Sequence, residues 1–458
     1  MRLSSLATAL QAKLIGTDVE FARVSTDTRT IQPGDFFVAL QGENFDGHQY
    51  LSVAKNAGAV AAMVSVEQEL DLPQVVVADT RLGLGALGKA WLQQFSPRKI
   101  AITGSCGKTT VKEMVAAICG EVAPTLSTKG NLNNDIGVPL TLCRLAAEHN
   151  YAVVEMGANH GGEIAYTAGL LGPDVALVNN VGAAHLEGFG SIELVAEAKS
   201  EIYQALASNG IAVINADDEF VEVFRNKSSH CRQLTYSLVD ASADVYLQSA
   251  EMNAMGQYKF TAVVKGEEVS AQLSLIGRHN IANALAAIAV AYAVGCPLQS
   301  IASGLAAVKA VPGRLRVVEE LNNIKVIDDT YNANPDSMRS AIDVLGSLQG
   351  ESCLVLGGMA ELGASGAKLH REIGAYAAQK GIGTVYGLGE SAMLYREGFL
   401  ANPGSGVFIT GENHQRIAED LLANKSNATI LIKGSRSAAM EKVIERMMEC
   451  QRAQGSAH

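Results

Sequence analysis

Cysteine is scarce in this sequence and forms no pattern. The seven cysteines (Cys106, Cys119, Cys143, Cys231, Cys296, Cys353 and Cys450) are scattered, odd in number and never spaced CxxC. That excludes a disulfide framework and a zinc knuckle, and fits a reducing compartment. A long apolar run is also lacking. The most apolar stretch, "ALAAIAVAYAVGCP" from Ala284, stops at Gly295 and Pro297, short of the ~20 residues a membrane span needs. It reads as a buried helix. The opening "MRLSSLATALQAKLIG" is too interrupted for a signal peptide. A cytoplasmic protein with no integral membrane association is therefore expected. Basic charge is short as well: 36 Lys and Arg stand against 47 Asp and Glu, a net charge of −11. This argues against a nucleic acid or an anionic membrane as the main partner, although phosphates can still bind locally through backbone amides and a few placed cations.

Apolar residues make up 48% of the chain and charged ones 18%, so cores can form and disorder is not expected. The 458 residues suit two to four domains, and three segments stand out. Residues 1–82 carry short strands ("GDFFVAL", "AAMVSV", "QVVVAD") and a helical stretch near 49–57. Residues 83–310 repeat an apolar strand followed by a helix. "KIAIT", "YAVVEM", "DVALVNN" and "IAVIN" are continuous apolar runs, as parallel strands buried on both faces should be. "YKFTAVVKGEEVSAQLSL" reads as an antiparallel hairpin around Lys265–Glu268. In residues 311–458 the alternation restarts through "KVIDD", "SCLVLGG", "TVYGLG", "GVFIT" and "TILIKG", which implies a second doubly wound α/β domain.

Three glycine motifs compete for a nucleotide. "GLGALG" (Gly83, Gly85, Gly88) fits GxGxxG, but no acid ends the next strand, and Leu84, Leu87 and Trp91 make a helix face. It reads as a packed helix. "GLGESA" (Gly387, Gly389, Ala392) has Glu412 after the next strand, and leaves a nicotinamide site open as a rival. "GSCGKTT" (104–110) lies between the strand "KIAIT" and the helix "KTTVKEMVAAIC". Only Ser105 and Cys106 separate Gly104 from Gly107, where the usual phosphate loop has four residues. The chemistry survives the shortening. Amides at the helix start can face phosphates, Lys108 can neutralise their oxygens, and Thr109 or Thr110 can offer a hydroxyl to Mg2+.

"TGSCGKTT" resembles the ATP loop of the Mur ligases and their folylpolyglutamate synthetase relatives, and further motifs follow in family order over nearly the whole chain. "VVEMGANHGGEI" resembles the strand that ends in a metal-binding glutamate, Glu155. "NNVGAAHLEGFGS" resembles the segment whose histidine, His185, also holds Mg2+. "AEAKSEIY" resembles the helix with a carbamylated lysine, Lys199. "GRHNIANALAA" resembles the stretch that places Asn280 and Asn283 beside the nucleotide. "PGRLR" supplies Arg314 for the γ-phosphate, and "DDTYNANP" supplies Asp329 for the nucleotide. Taken alone, Glu155 could be a solvated acid, His185 a surface histidine and Lys199 a solvated helix lysine. Asn280 and Asn283 could be a cap and a buried polar residue, and Arg314 with Asp329 an ordinary ion pair.

The resemblance implies three α/β domains: a small UDP-substrate domain, a central P-loop-type parallel-sheet ATPase and a C-terminal Rossmann-like domain that closes over it. It implies ATP, two Mg2+ ions and a carbamylated Lys199, with Lys108, Lys199, His185 and Arg314 catalytic. Gly104, Ser105, Cys106, Gly107, Lys108, Thr109, Thr110, Asn280, Asn283, Arg314 and Asp329 would bind ATP. Thr109, Glu155, His185 and Lys199 would hold metal. "STDTR" (Ser25, Thr26, Asp27, Arg29) and "FDGHQY" (Asp46, Gly47, His48) resemble the UDP-binding segment. Within the family, "STKGNLNNDIGVPLT" (with Lys129, Asn131, Asn133, Asn134), "DDTYNANPDSM" (with Asn332, Asn334) and "LIKGSRSAAME" (with Ser435) resemble the member that adds D-alanyl-D-alanine to UDP-N-acetylmuramoyl-tripeptide. A monomer in the peptidoglycan pathway is expected. A sibling ligase, a folylpolyglutamate synthetase and a non-catalytic nucleotide-binding regulator remain as alternatives. Two positions depart from that member's usual pattern. Gly358 in "GGMAELG" stands where an acid is common, and Thr330 where a serine is common.

Overall fold

The computed structural model describes residues 1–318, 321, 324–404, 406–425 and 428–455. Its three main sheets follow one another along the chain. The first has five strands in the order Lys13–Ile15, Gln74–Val76, Ala61–Val64, Asp35–Val38, Arg23–Ser25, and its three middle strands are the three read from the sequence. The helical stretch near 49–57 is a 3-10 turn, Gly47–Tyr50, running into helix Leu51–Asn56.

The second sheet has nine strands. Its centre is Ile211–Asn215, Val175–Val178, Arg98–Thr103 and Tyr151–Glu155, all parallel and, apart from the exposed Arg98, buried or half-buried along their length. These are the four continuous apolar runs. A strand covered on both faces has no polar side to present, so its sequence cannot alternate. The outer edge turns antiparallel through Gln257–Val264 and Glu267–Ile276, the expected hairpin. Lys265 and Gly266 form its turn with φ of 51° and 92°, the left-handed pair that matches strand twist.

The third sheet contains the five expected parallel strands and one more, Arg316–Val318, antiparallel at the edge. Each expected strand is followed by its helix.

Two helices settle sequence ambiguities. Thr80–Leu92 carries "GLGALG" and buries Leu84, Leu87 and Trp91. Its glycines allow close packing: a Cβ on Gly88 would sit 2.9 Å from Pro139 Cα. His279–Ala293 is buried along nearly its whole length beneath the second sheet. Among the described residues no helix is long and apolar enough to cross a membrane.

Candidate active site

The C-terminal ends of the second sheet's central strands face the third sheet across a cleft of about 470 Å3. Parallel sheets bind ligands at this end, because the loops after the strands and the helix starts converge there.

Strand Arg98–Thr103 delivers the phosphate loop, and helix Lys108–Gly120 leaves it. Gly107 is the residue before the helix, with φ 76°. A Cβ there would lie 2.5 Å from Asn283 Oδ1, so both the backbone angle and the space require glycine. The loop is wired to the next strand's loop. Ser105 N donates to Asn180 O at 2.9 Å, and Cys106 N donates to Asn180 Oδ1 at 2.8 Å. Gly182 N donates to Ser105 Oγ at 2.9 Å. Two of the amides expected to cradle phosphate are therefore used to hold the loop. The first helical turn, Lys108 to Thr110, lines the cleft, and helix geometry leaves its N–H groups without intrahelical acceptors. Lys108 Nζ bonds its own loop at Gly104 O, 2.6 Å away, and loss of water around the ammonium lowers its pKa.

The asparagines form a chain. Asn280 Nδ2 donates to Ile276 O, Asn283 Nδ2 to Asn280 Oδ1, and Asn179 Nδ2 to both Asn283 Oδ1 and Cys106 O. Asn280 and Asn283 line the cleft, and this chain ties the phosphate loop to the buried helix beneath it.

Glu155 ends its strand and is 2% exposed. Asn133 Nδ2 donates to its Oε1 at 2.8 Å, whereas its Oε2 is buried with no partner. Asn133, expected at the substrate, thus orients Glu155. Asn134 Oδ1 accepts from Gly137 N, and Asn131 lines the cleft beside both. His185 also lines the cleft, with its Nδ1 against Glu361 of the third sheet's domain. Lys199 is 1% exposed on helix Ile192–Gln204. Burial, then repulsion from Lys108, lowers its pKa to about 7, leaving much of the amine neutral near neutral pH.

From the third domain come Arg314, whose guanidinium carbon lies 4.4 Å from the centre of the Tyr331 ring, and Asp329. Asp329 Oδ2 pairs with Lys433 Nζ at 2.7 Å, and its Oδ1 accepts from Leu315 N. Burial, opposed by Lys433, raises its pKa. Lys433 also donates to Asn332 O at 2.8 Å, so one buried cation holds both the acid and the "TYNANP" loop. Asn334 caps helix Pro335–Ser347 and meets Cys106 Sγ through Nδ2 at 3.3 Å. Asn332 and Asn334 line the cleft; Lys129 and Ser435 are not among its lining residues.

Ser25 ends strand Arg23–Ser25, with Thr26, Asp27 and Arg29 just after it, while Asp46 ends the short strand Phe45–Asp46 and Gly47 and His48 open the 3-10 turn; none of them lines this cleft. Arg29 pairs with Asp27 at 2.7 Å. His48 Nδ1 meets Asp46 Oδ1 at 2.6 Å while its Nε2 accepts from Ser65 N at 2.9 Å. The residues that sequence reasoning missed, Asn179, Asn180, Glu361 and Lys433, act through partners distant in the chain. The adjacent asparagines of "NNVGAAH", ending a strand beside the phosphate loop, were the one available signal.

Comparison with known proteins agrees along the chain. Residues 20–91 match the Mur ligase family, catalytic domain; residues 102–291 match the Mur ligase middle domain; and residues 313–436 match the Mur ligase, glutamate ligase domain. The chain is 46% identical over 451 residues to the UDP-N-acetylmuramoyl-tripeptide–D-alanyl-D-alanine ligase of Escherichia coli (strain K12), covering 98% of each protein. It resembles a crystal structure of MurF from Acinetobacter baumannii (TM-score 0.89, 35% identity, 97% of this chain and 98% of that one). It also resembles MurF ligase from Thermotoga maritima in complex with ADP (TM-score 0.83, 28% identity, 94% and 98%). With its three matched segments in order and a full-length relative at this identity, the chain belongs to the Mur ligase family.

Proposed function

We propose that the protein is an ATP-dependent ligase that joins D-alanyl-D-alanine to UDP-N-acetylmuramoyl-tripeptide, making the UDP-N-acetylmuramoyl-pentapeptide used for peptidoglycan. The observation that carries this reading is the cleft itself. The Lys108 loop, Glu155, His185 and Arg314 meet there from two domains. The Escherichia coli relative supplies the substrate names, and the Thermotoga maritima structure binds ADP. On this reading residues 1–82 bind the UDP end of the substrate, 83–310 bind ATP and 311–458 bind the dipeptide and close. The work is cytoplasmic.

The reaction needs an activated carboxyl. The tripeptide carboxylate attacks the γ-phosphorus of ATP, ADP leaves, and an acyl phosphate forms. The dipeptide amine then attacks the acyl carbon, the tetrahedral adduct collapses, and phosphate departs with the amide made. Lys108 and Arg314 offset the charge of the phosphoryl group and the approaching carboxylate. Arg314 suits the task because its planar fork can bind two phosphate oxygens, and the Tyr331 ring 4.4 Å away gives its guanidinium a cation–π partner. Closure over the cleft keeps water from the acyl phosphate.

Mg2+ belongs to this reading, with two ions expected, although the described residues contain no cluster of three His, Cys, Asp or Glu and Lys199 is not among the residues that line the cleft; what supports a cation there is Glu155. A buried carboxylate oxygen without a partner, as at Glu155 Oε2, is costly unless a cation completes it. Thr109, Glu155 and His185 are the proposed holders, joined by Lys199 as its carbamate. A neutral buried amine adds carbon dioxide, losing a proton as the N–C bond forms, and becomes an oxygen anion of the kind Mg2+ prefers. Bound there, the ions would neutralise phosphate charge.

The alternatives separate in one assay. Phosphate release from ATP with the UDP-linked tripeptide should require D-alanyl-D-alanine and be far slower with single amino acids or glutamate. Equal rates with a single amino acid would reassign the protein to a sibling ligase.

A further inference from the structure

We propose that Glu361, on the loop after strand Glu351–Leu356, is a positioning residue for His185, and that through it the metal-holding orientation of His185 depends on closure of the third domain over the second. This rests on the reading that His185 holds Mg2+.

The two residues belong to different domains, and each has a left-handed backbone: φ is 57° at His185 and 60° at Glu361. Few residues other than glycine adopt that conformation. Two such residues facing each other mark a contact that the surroundings enforce, and strain of this kind collects at functional sites. The contact has a main-chain brace, since Glu187 N donates to Glu361 O at 3.2 Å. It is also part of a wider landing zone. Ala183 N donates to Asp336 Oδ2 at 3.0 Å, and Asn334 meets Cys106 Sγ. Residues 183–187 are thus where the third domain settles.

The chemistry gives the contact a purpose. Glu361 Oε2 lies against His185 Nδ1, although the pair is not aligned as a hydrogen bond and Nδ1 is buried with no other partner. A small turn of either side chain would make Nδ1–H a donor to Glu361 and leave Nε2 as the nitrogen available to a metal. A histidine that binds metal through one nitrogen commonly donates its other N–H to a carboxylate, which fixes both tautomer and ring direction. Glu361 is the sole carboxylate in "GGMAELG" (357–363), because Gly358 brings none. No other residue of that loop can take the role. The Glu361 side chain is 53% exposed. An ion pair so open to water adds little stability, so its part is orientation.

The test is a Mn2+ titration in the presence of ADP, with free Mn2+ read by electron paramagnetic resonance, on the full chain. Glu361→Ala should weaken Mn2+ binding about tenfold, as losing such an outer carboxylate does, with an unchanged thermal midpoint. Glu361→Gln should keep most of the affinity, because its amide oxygen can still accept from Nδ1–H. His185→Ala should bind Mn2+ at least as weakly as Glu361→Ala. By reciprocity, Mn2+ with ADP should compact the wild type in small-angle scattering more than it compacts Glu361→Ala. Wild-type Mn2+ affinity in Glu361→Ala alongside loss in His185→Ala overturns the proposal and leaves the metal reading standing. Wild-type affinity in His185→Ala overturns the metal reading itself. A Glu361→Gln variant as weak as Glu361→Ala overturns the orienting role.

Discussion

Lys108→Ala is expected to abolish ligation, with phosphate release from ATP and both substrates falling at least about a thousandfold, toward the upper range for losing one placed charge-stabilising donor. Lys108 sits at the first residue of helix Lys108–Gly120 and lines the cleft. Its ammonium rests on Gly104 O at 2.6 Å and so is held beside the loop that would carry the β- and γ-phosphates. Removing it leaves the loop's clamps in place, because those run through Asn179, Asn180 and Gly182. The fold should therefore survive and the chemistry fail. A Lys108→Ala enzyme that ligates at the wild-type rate would mean the loop is not the ATP site.

Lys199→Ala is expected to be almost inactive and to regain part of its activity in high concentrations of a small carboxylate such as formate or acetate. The lysine is buried, a poor setting for a permanent cation, and burial lowers its pKa to about 7 despite the Phe189 ring 6.0 Å from its ammonium. Truncation opens space in which a short carboxylate can stand for the missing carbamate. Full activity in Lys199→Ala, measured as pentapeptide formed, would remove the carbamate from the account.

The phosphate loop was legible because all its information is local: a strand, a short glycine turn and a helix start, within thirteen residues of chain from Arg98 to Thr110. The continuous apolar strands were legible for the same reason, since burial on both faces leaves a mark at every residue. Strand Arg316–Val318 was not legible. It is short, lies on an edge and has only one buried residue, so neither alternation nor an apolar run marks it. At the site, residue types were visible but their partners were not. Asn133 is a polar residue in a polar loop, and only the fold brings it to Glu155, 22 positions away. Lys433 ends an apolar strand, and nothing local shows that it pairs with Asp329 across 104 positions. Asn280 and Asn283 were expected to face the nucleotide. They do line the cleft, but they also continue a chain of amides into the phosphate loop, a role set by tertiary packing.

Activation of the substrate's carboxyl as an acyl phosphate is the claim on which the remainder depends, and oxygen transfer tests it most directly. UDP-N-acetylmuramoyl-tripeptide labelled with oxygen-18 in its terminal carboxylate would be ligated to D-alanyl-D-alanine with unlabelled ATP, and the released phosphate analysed by mass spectrometry. The account predicts one labelled oxygen in each phosphate, carried over when the acyl–oxygen bond breaks. Pentapeptide formed with unlabelled phosphate would contradict it.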